Sequence, residues 1–318
     1  MKAVIQDRYG AADVVTVGDL PEPVPADDEI LVRVRAASLN GSDRENLAGR
    51  PFYARLRGLR RPRHPVPGSD IAGVVSAVGR AVTEYAPGDE VFGELAEYRG
   101  GLAEYVAASP RLLARKPPGM TFVDAAAIPQ AGGIALRATQ GVQPGDRVLV
   151  NGAGGAGGVF LIGLAKHLGA SVTAVDRADK ADHLLRLGAD ETIAYEDQDW
   201  ADHRGRYDRI VDLVANRSPY RVHRALRPGG TYLVVGGHTR ILLATLVAGP
   251  TIRWTTGKRV RVLVVPQSRA DVATVATLVA DGVIGPVVDR IYPLEEAPAA
   301  LARLAAGDTQ GKVVIEVT

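Results

Sequence analysis

The chain has 318 residues, with 38 Lys plus Arg against 36 Asp plus Glu, and it contains no cysteine. That length exceeds one typical core and points to two domains, while the near-balance of charge speaks against a nucleic-acid or membrane-surface partner. Without cysteine there is no disulfide, no thiolate nucleophile and no zinc site with a sulfur ligand.

The start, M-K-A-V-I-Q-D-R, lacks the apolar core of a signal peptide, and no apolar run reaches the roughly 18 residues that span a bilayer, so a cytoplasmic location is expected. The front is rich in Val, Gly and Pro, with strand-like runs at 1–5, 30–37, 70–78 and 102–106. Breakers at 21–28, at Pro87-Gly88-Asp89 and at Pro117-Pro118-Gly119 separate them, which predicts a mostly β domain. One local charge anomaly interrupts it. Arg50, Arg55, Arg57, Arg60, Arg61, Arg63 and His64 stand together with no acid among them, as a solvated loop, a hinge to a partner chain, or a lid that draws in an anionic substrate.

From residue 121 the pattern changes. Helical stretches at 124–127 and 134–140 lead into strands at 148–150, 171–175, 191–195, 209–214 and 231–235 that alternate with helices, which implies a parallel sheet covered on both faces. A helix-like 241–248 precedes a last strand at 259–265. The tail holds amphipathic segments at 271–280 and 295–306 and ends in the strand-like K-V-V-I-E-V. The predicted class is therefore α/β, a doubly wound parallel sheet beside a mostly β domain.

The most informative stretch is the βαβ unit R-V-L-V, N-G-A-G-G-A-G-G, V-F-L-I-G-L-A-K-H-L-G-A, S-V-T-A-V-D-R. Gly152, Gly154 and Gly157 carry the G-x-G-x-x-G spacing, with Gly155 and Ala156 between them, directly after one predicted strand and before a helix at 158–168. Glycine at these places permits a tight turn, lets backbone approach a pyrophosphate and seats the helix on the strand, so that helix N–H groups face the phosphates. Asp176, 19 residues beyond Gly157 at the end of the next strand, is the acid that accepts from a ribose 2′-hydroxyl.

The order of parts resembles the medium-chain dehydrogenase/reductase superfamily, in its zinc-independent quinone oxidoreductase branch. The resemblance covers essentially the whole chain. It is carried by A-A-S-L-N-G-S-D, P-G-S-D-I-A-G-V-V, P-G-D-E-V-F-G, G-L-A-E-Y-V, V-L-V-N-G-A-G-G-A-G, L-G-A-D-E-T-I-A-Y, P-V-V-D-R-I-Y-P-L and G-K-V-V-I-E-V. It implies a GroES-like catalytic domain from residues 1–117 and 268–318, a Rossmann domain at 118–267, an active site in the cleft, and a homodimer joined along the edge strand at 259–265.

In the zinc-dependent relatives a Cys stands where this chain has Asn40, and Gly-His-Glu stands where it has Gly68-Ser69-Asp70. The loop that holds a structural zinc is missing as well. The six histidines, His64, His167, His183, His203, His223 and His238, are scattered without a helical i, i+4 pair, so no metal is expected. Loss of zinc matters chemically. Hydride transfer at a simple ketone needs a Lewis acid for a localised alkoxide, whereas an enone or quinone spreads the charge onto an oxygen that ordinary donors can hold.

The resemblance places Asn40 and Asp43 near the substrate, with Asn40 able to hydrogen-bond substrate or ribose, although both also suit an Asx turn after the strand. Tyr53 falls where related enoyl reductases carry a tyrosine thought to protonate the enolate; it could equally plug the site with Phe52, leaving water as donor. Val214, Ala215, Gly236 and Gly237 should border ribose and nicotinamide, and Ile134 replaces a Thr that usually touches the carboxamide. Asp176 argues for NADH, whereas Arg177, Lys180 and Tyr195 match positions that contact the 2′-phosphate of NADPH. The expected activity is NADPH- or NADH-dependent reduction of a small conjugated carbonyl or quinone. Its rivals are an alcohol dehydrogenase with an atypical metal site and an inactive cofactor-binding protein.

Overall fold

The computed structural model describes residues 1–285 and 287–318, and their side chains except those of Arg57 and Tyr98. Pro286, which opens one of the family motifs, lies outside the described residues, as does the Arg57 side chain of the basic run. The front third holds strands β1 (Lys2–Gln6), β2 (Val15–Asp19), β3 (Ile30–Leu39), β4 (Asp70–Val78), β5 (Glu90–Glu94), β6 (Tyr105–Ala108) and β7 (Leu113–Arg115). The middle holds β8 (Arg147–Asn151), β9 (Ser171–Asp176), β10 (Glu191–Ala194), β11 (Tyr207–Asp212), β12 (Leu226–Val234) and β13 (Arg259–Val262). Two more, β14 (Val288–Pro293) and β15 (Lys312–Glu316), close the chain.

Contacts divide these elements into two compact units, one made of Met1–Gly133, Gln267–Gly282 and 287–318, the other of Ile134–Pro266 and Val283–Gly285. In the front unit β1 pairs antiparallel with β2, and the other described strands form a sheet in the order β14-β15-β3-β4-β5-β7, with β6 also on β3. β3 is long enough to serve two partners on one edge. Its first half pairs β6 from Ile30↔Ala108 to Arg33↔Tyr105, and its second half pairs β15 from Ala36↔Glu316 to Leu39↔Val313. One step past that last pair the final strand brings Lys312 beside Asn40. The interior is a Val/Leu/Ile core that includes Val32, Leu39, Ile71, Leu102, Val313 and Ile315. The helix Phe122–Ala127 packs on β3 and β4, with Ala125, Ala126 and Ala127 fully buried and the Ser38 hydroxyl donating to the Ala126 carbonyl at 2.7 Å. This is the GroES-like half of an α/β chain.

The second unit is the doubly wound half. Its described strands run in the order β10-β9-β8-β11-β12-β13, and every pairing is parallel. Strand order therefore reverses between β8 and β11, the switch point at which such sheets bind ligands. Val148, Leu149 and Val150 are fully buried, the continuous apolar run of a strand covered on both faces.

Several elements differ from the sequence expectation: the strand expected at 102–106 is Tyr105–Ala108, the helix expected at 134–140 is Pro129–Thr139, and the strand expected at 231–235 is Leu226–Val234. β11 stops at Asp212 rather than 214, and β13 ends at Val262 rather than 265. The helix expected at 241–248 runs Thr239–Thr256. Gly249-Pro250 reads as a stop, but Gly249 is needed for close approach: a Cβ there would lie 2.4 Å from the Val260 carbonyl of β13. No helix among the described residues is long and apolar enough to cross a membrane.

Candidate active site

In the doubly wound unit the glycine corner follows β8 and opens the helix Ala156–His167, with Gly155 as its N-cap. Gly152 sits at φ 84°, and a Cβ on Gly158 would lie 2.2 Å from the Ala153 carbonyl, so tight turning and close packing both require glycine. A Cβ on Gly154 would meet the Lys180 side chain at 2.6 Å, and one on Gly157 would meet Leu213 at 3.3 Å. The cradle fits a dinucleotide pyrophosphate. Glycine leaves the backbone at 152, 154 and 157 without Cβ atoms where phosphates must approach, and a helix N-terminus lies behind it.

Asp176 is turned toward that cradle. Its Oδ2 accepts from the Gly154 N–H at 2.8 Å and its Oδ1 from its neighbour's N–H at 2.9 Å. The Lys180 ammonium lies 3.2 Å from Oδ1, and both side chains are almost fully buried. The carboxylate that sequence assigns to the ribose thus holds the glycine loop and is neutralised within the protein. Arg177 pairs with Asp179, and the exposed Tyr195 ring stands next to β10, its N–H donating to the Asp176 carbonyl.

Sequence reading missed what holds the other side of this corner. Asp212, fully buried at the end of β11, accepts from Asn151 Nδ2 at 2.7 Å, from the N–H groups of Val214 and Ala215 at 3.0 and 2.8 Å, and from the Tyr232 hydroxyl at 2.7 Å. It fixes Ala215 at φ 47°, a left-handed conformation rare for alanine. Gly236 and Gly237 also have positive φ, and a Cβ on Gly237 would lie 2.7 Å from the Ala215 Cβ. The loops after β11 and β12 therefore interlock at the carboxyl edge of the sheet, and Val214 lies next to Gly152.

The front unit gathers a second group. Asn40 caps the helix Gly41–Ala48, and its N–H donates to Asp43 Oδ2 at 2.7 Å. Asp43 is 1 % exposed, and its Oδ1 has no partner among the described residues. Burial pushes its carboxyl up to about 7. Asn40 is 2 % exposed; its Nδ2 contacts Ser69 Oγ at 3.3 Å and its Oδ1 receives the Lys312 ammonium at 2.7 Å. Lys312 and Asp70 are fully buried and 3.3 Å apart. Glu94, bound by Gln130 Nε2 at 2.7 Å, is raised to about 7 by burial and then by the Asp70 charge.

Asp70, Glu94 and Lys312 were all absent from the sequence-derived site. The usable signal was a lysine opening the apolar strand K-V-V-I-E, a charge with nowhere to go but inward. Tyr53 stands apart from this group: its hydroxyl donates to Glu45 Oε2 at 2.8 Å, and burial with that carboxylate raises it well above the ordinary phenol value. In the basic run Arg50, Arg60, Arg61 and Arg63 are exposed beside exposed Phe52, Leu56 and Leu59, while Arg55 stacks on Tyr9.

Zinc does not fit this donor set. At the three family positions stand an amide, a hydroxyl and a carboxylate, and the amide oxygen and the carboxylate already share an ammonium ion.

Comparison with known proteins agrees with the architecture. Residues 26–118 match the alcohol dehydrogenase GroES-like domain and residues 187–315 match a family described as zinc-binding dehydrogenase. The chain is 31 % identical to the 2-methylene-furan-3-one reductase of Solanum lycopersicum, over 99 % of this chain and 79 % of that one. It is 30 % identical to a chloroplastic quinone-oxidoreductase of Triphysaria versicolor, over 99 % and 98 %. The structure of the quinone oxidoreductase from Coxiella burnetii superposes with a TM-score of 0.88 at 29 % identity, over 100 % of this chain and 99 % of that one.

Proposed function

The chain belongs to the medium-chain dehydrogenase/reductase superfamily, in its zinc-independent quinone oxidoreductase-like branch, and from that premise we propose how it works as an NAD(P)H-dependent reductase of quinones or α,β-unsaturated carbonyl compounds. The glycine corner locked to the loops after β11 and β12 carries this reading. Gly152, Gly154, Gly155, Ala156 and Gly157 would hold the pyrophosphate; Val214, Ala215, Gly236 and Gly237 would border ribose and nicotinamide. When bound, the nicotinamide supplies the hydride, and the protein supplies binding, alignment and electrostatics.

Asn40 offers the acceptor an amide. Asp43 serves it indirectly by fixing the start of the helix Gly41–Ala48. An acceptor that disperses negative charge needs no more than such neutral donors, whereas a simple ketone would need a Lewis acid that Asn40, Ser69 and Asp70 are not arranged to bind. The Tyr53 proton is committed to Glu45, which favours water as the proton source. Asp176, held by Gly154 and Lys180, has little capacity left for a ribose hydroxyl, so this reading favours NADPH over NADH, with Arg177 and Tyr195 beside the 2′-phosphate and Lys180 offsetting the Asp176 charge.

For assembly the reading is a homodimer through the β13 edge and the face of Thr239–Thr256 that exposes Leu243, Leu246, Val247 and Trp254. Light scattering of wild type and Trp254→Asp tests it, with dissociation expected in the variant. The chemistry is tested by following nicotinamide oxidation with quinones, linear and cyclic enones, acyl thioesters, simple ketones and alcohols. Turnover confined to conjugated acceptors and insensitive to chelators is expected; chelator-sensitive turnover of simple alcohols would overturn the reading.

A further inference from the structure

Lys312 is 272 residues from Asn40 in sequence, yet its ammonium lies 2.7 Å from Asn40 Oδ1 and 3.3 Å from Asp70 Oδ2, with all three side chains buried. A carboxamide can usually turn over and exchange its oxygen for its nitrogen at little cost. Here it cannot. An ammonium has only donors, so a flipped Asn40 would set N–H against N–H in a dry interior. Ser69 Oγ, itself donating to Asp70 Oδ1 at 3.2 Å, has its lone pairs left for Asn40 Nδ2, which agrees with the same orientation. One amide hydrogen goes to Ser69, and no partner among the described residues takes the second.

We propose that Lys312 is a positioning residue, whose buried ammonium pins the Asn40 carboxamide so that its N–H, never its oxygen, is presented to the carbonyl oxygen of the acceptor. This rests on the reductase reading and deepens it by selecting acceptors that gain negative charge on oxygen. A donor-only site should bind the product's phenolate or enolate better than the neutral acceptor, the direction that accelerates the transfer.

The competing role is structural, with Lys312 present only to neutralise Asp70. Lys312→Met, alone and combined with Asp70→Asn, separates the two. Pinning predicts a folded Lys312→Met protein whose kcat for a conjugated acceptor falls roughly tenfold or more, by analogy with loss of an oxyanion donor, while its dissociation constant for NADPH stays within about twofold. The double variant should recover thermal stability but not kcat. Recovery of both, or an unchanged kcat in Lys312→Met, would overturn the proposal.

A readout independent of turnover comes from asparagine-selective ¹⁵N labelling, since the chain has four asparagines, Asn40, Asn46, Asn151 and Asn216. The Asn40 amide pair should exchange slowly with solvent in the wild type and rapidly in both variants; no difference also refutes pinning. A wild type that oxidised NADPH with no conjugated acceptor would defeat the reductase reading instead, and the amide signals would still decide on Lys312.

Discussion

Asp212 in the doubly wound unit and Asp70 in the front unit are both fully buried carboxylates, but they are held in opposite ways. Asp212 is surrounded by neutral donors, an amide, two backbone N–H groups and a phenol, each at 2.7–3.0 Å. Asp70 shares the Lys312 ammonium with Asn40, and two further buried carboxyls, Asp43 and Glu94, add to the acids around that cation. The first group stores geometry, because its donors sit on strands and loops at the glycine corner. The second stores charge and leaves acidity unsettled near neutrality.

The strongest way to break the contrast is Asp212→Ala, which orphans four donors at once and releases Ala215 from its left-handed corner. A loss on the order of 3–5 kcal/mol in urea unfolding is expected, along with loss of NADPH binding. Gly237→Ala acts on the same corner without touching the carboxylate. Its Cβ would press on Ala215, so NADPH affinity should fall about tenfold or more in a fluorescence titration while the front unit keeps its properties.

The second group predicts a pH signature. Asp43 and Glu94, with ordinary values of 3.8 and 4.5, each rise to about 7 in the folded chain. The folded state therefore binds the extra protons between these limits. The contribution of these two carboxyls to stability is fullest below about pH 4, declines as pH rises toward 7 and is level above it. Asp43→Asn should remove its share of that slope, on the order of a few kcal/mol between pH 4 and 8, seen as a flatter urea midpoint against pH. The smallest effect should come from Tyr53→Phe: kcat within about twofold of wild type and a stability loss of about 1 kcal/mol, because the phenol serves Glu45. A large kcat loss would return the proton-donor role to Tyr53.

Legibility followed the same division. The corner from β8 to β9 could be read residue by residue, because strand, glycines, helix and Asp176 lie within one βαβ unit whose periodicity changes visibly. Asp212 was hidden inside an apolar run, R-I-V-D-L-V, that reads as one strand; only its buried donors explain why β11 stops there. The front group was still less legible. Asn40, Ser69 and Asp70 could be located by their family positions, but their partner arrives from the far end of the chain, and local sequence does not encode which distant lysine a strand register delivers. Asp176 was legible in position and not in partners, since Gly154 and Lys180 take it through backbone and helix geometry.

The register of β15 has a consequence for the order in which the molecule can be completed. The doubly wound unit has all its described strands once residue 262 has been made, whereas the second half of β3 and Asp70 wait for β15, which comes later in the chain. Until β15 leaves the ribosome, the nascent front half carries unpaired backbone groups along the second half of β3 and an acid without its Lys312 partner. Arrival of β15, rather than formation of the nucleotide fold, is then the event that matures the Asn40 and Asp70 cluster.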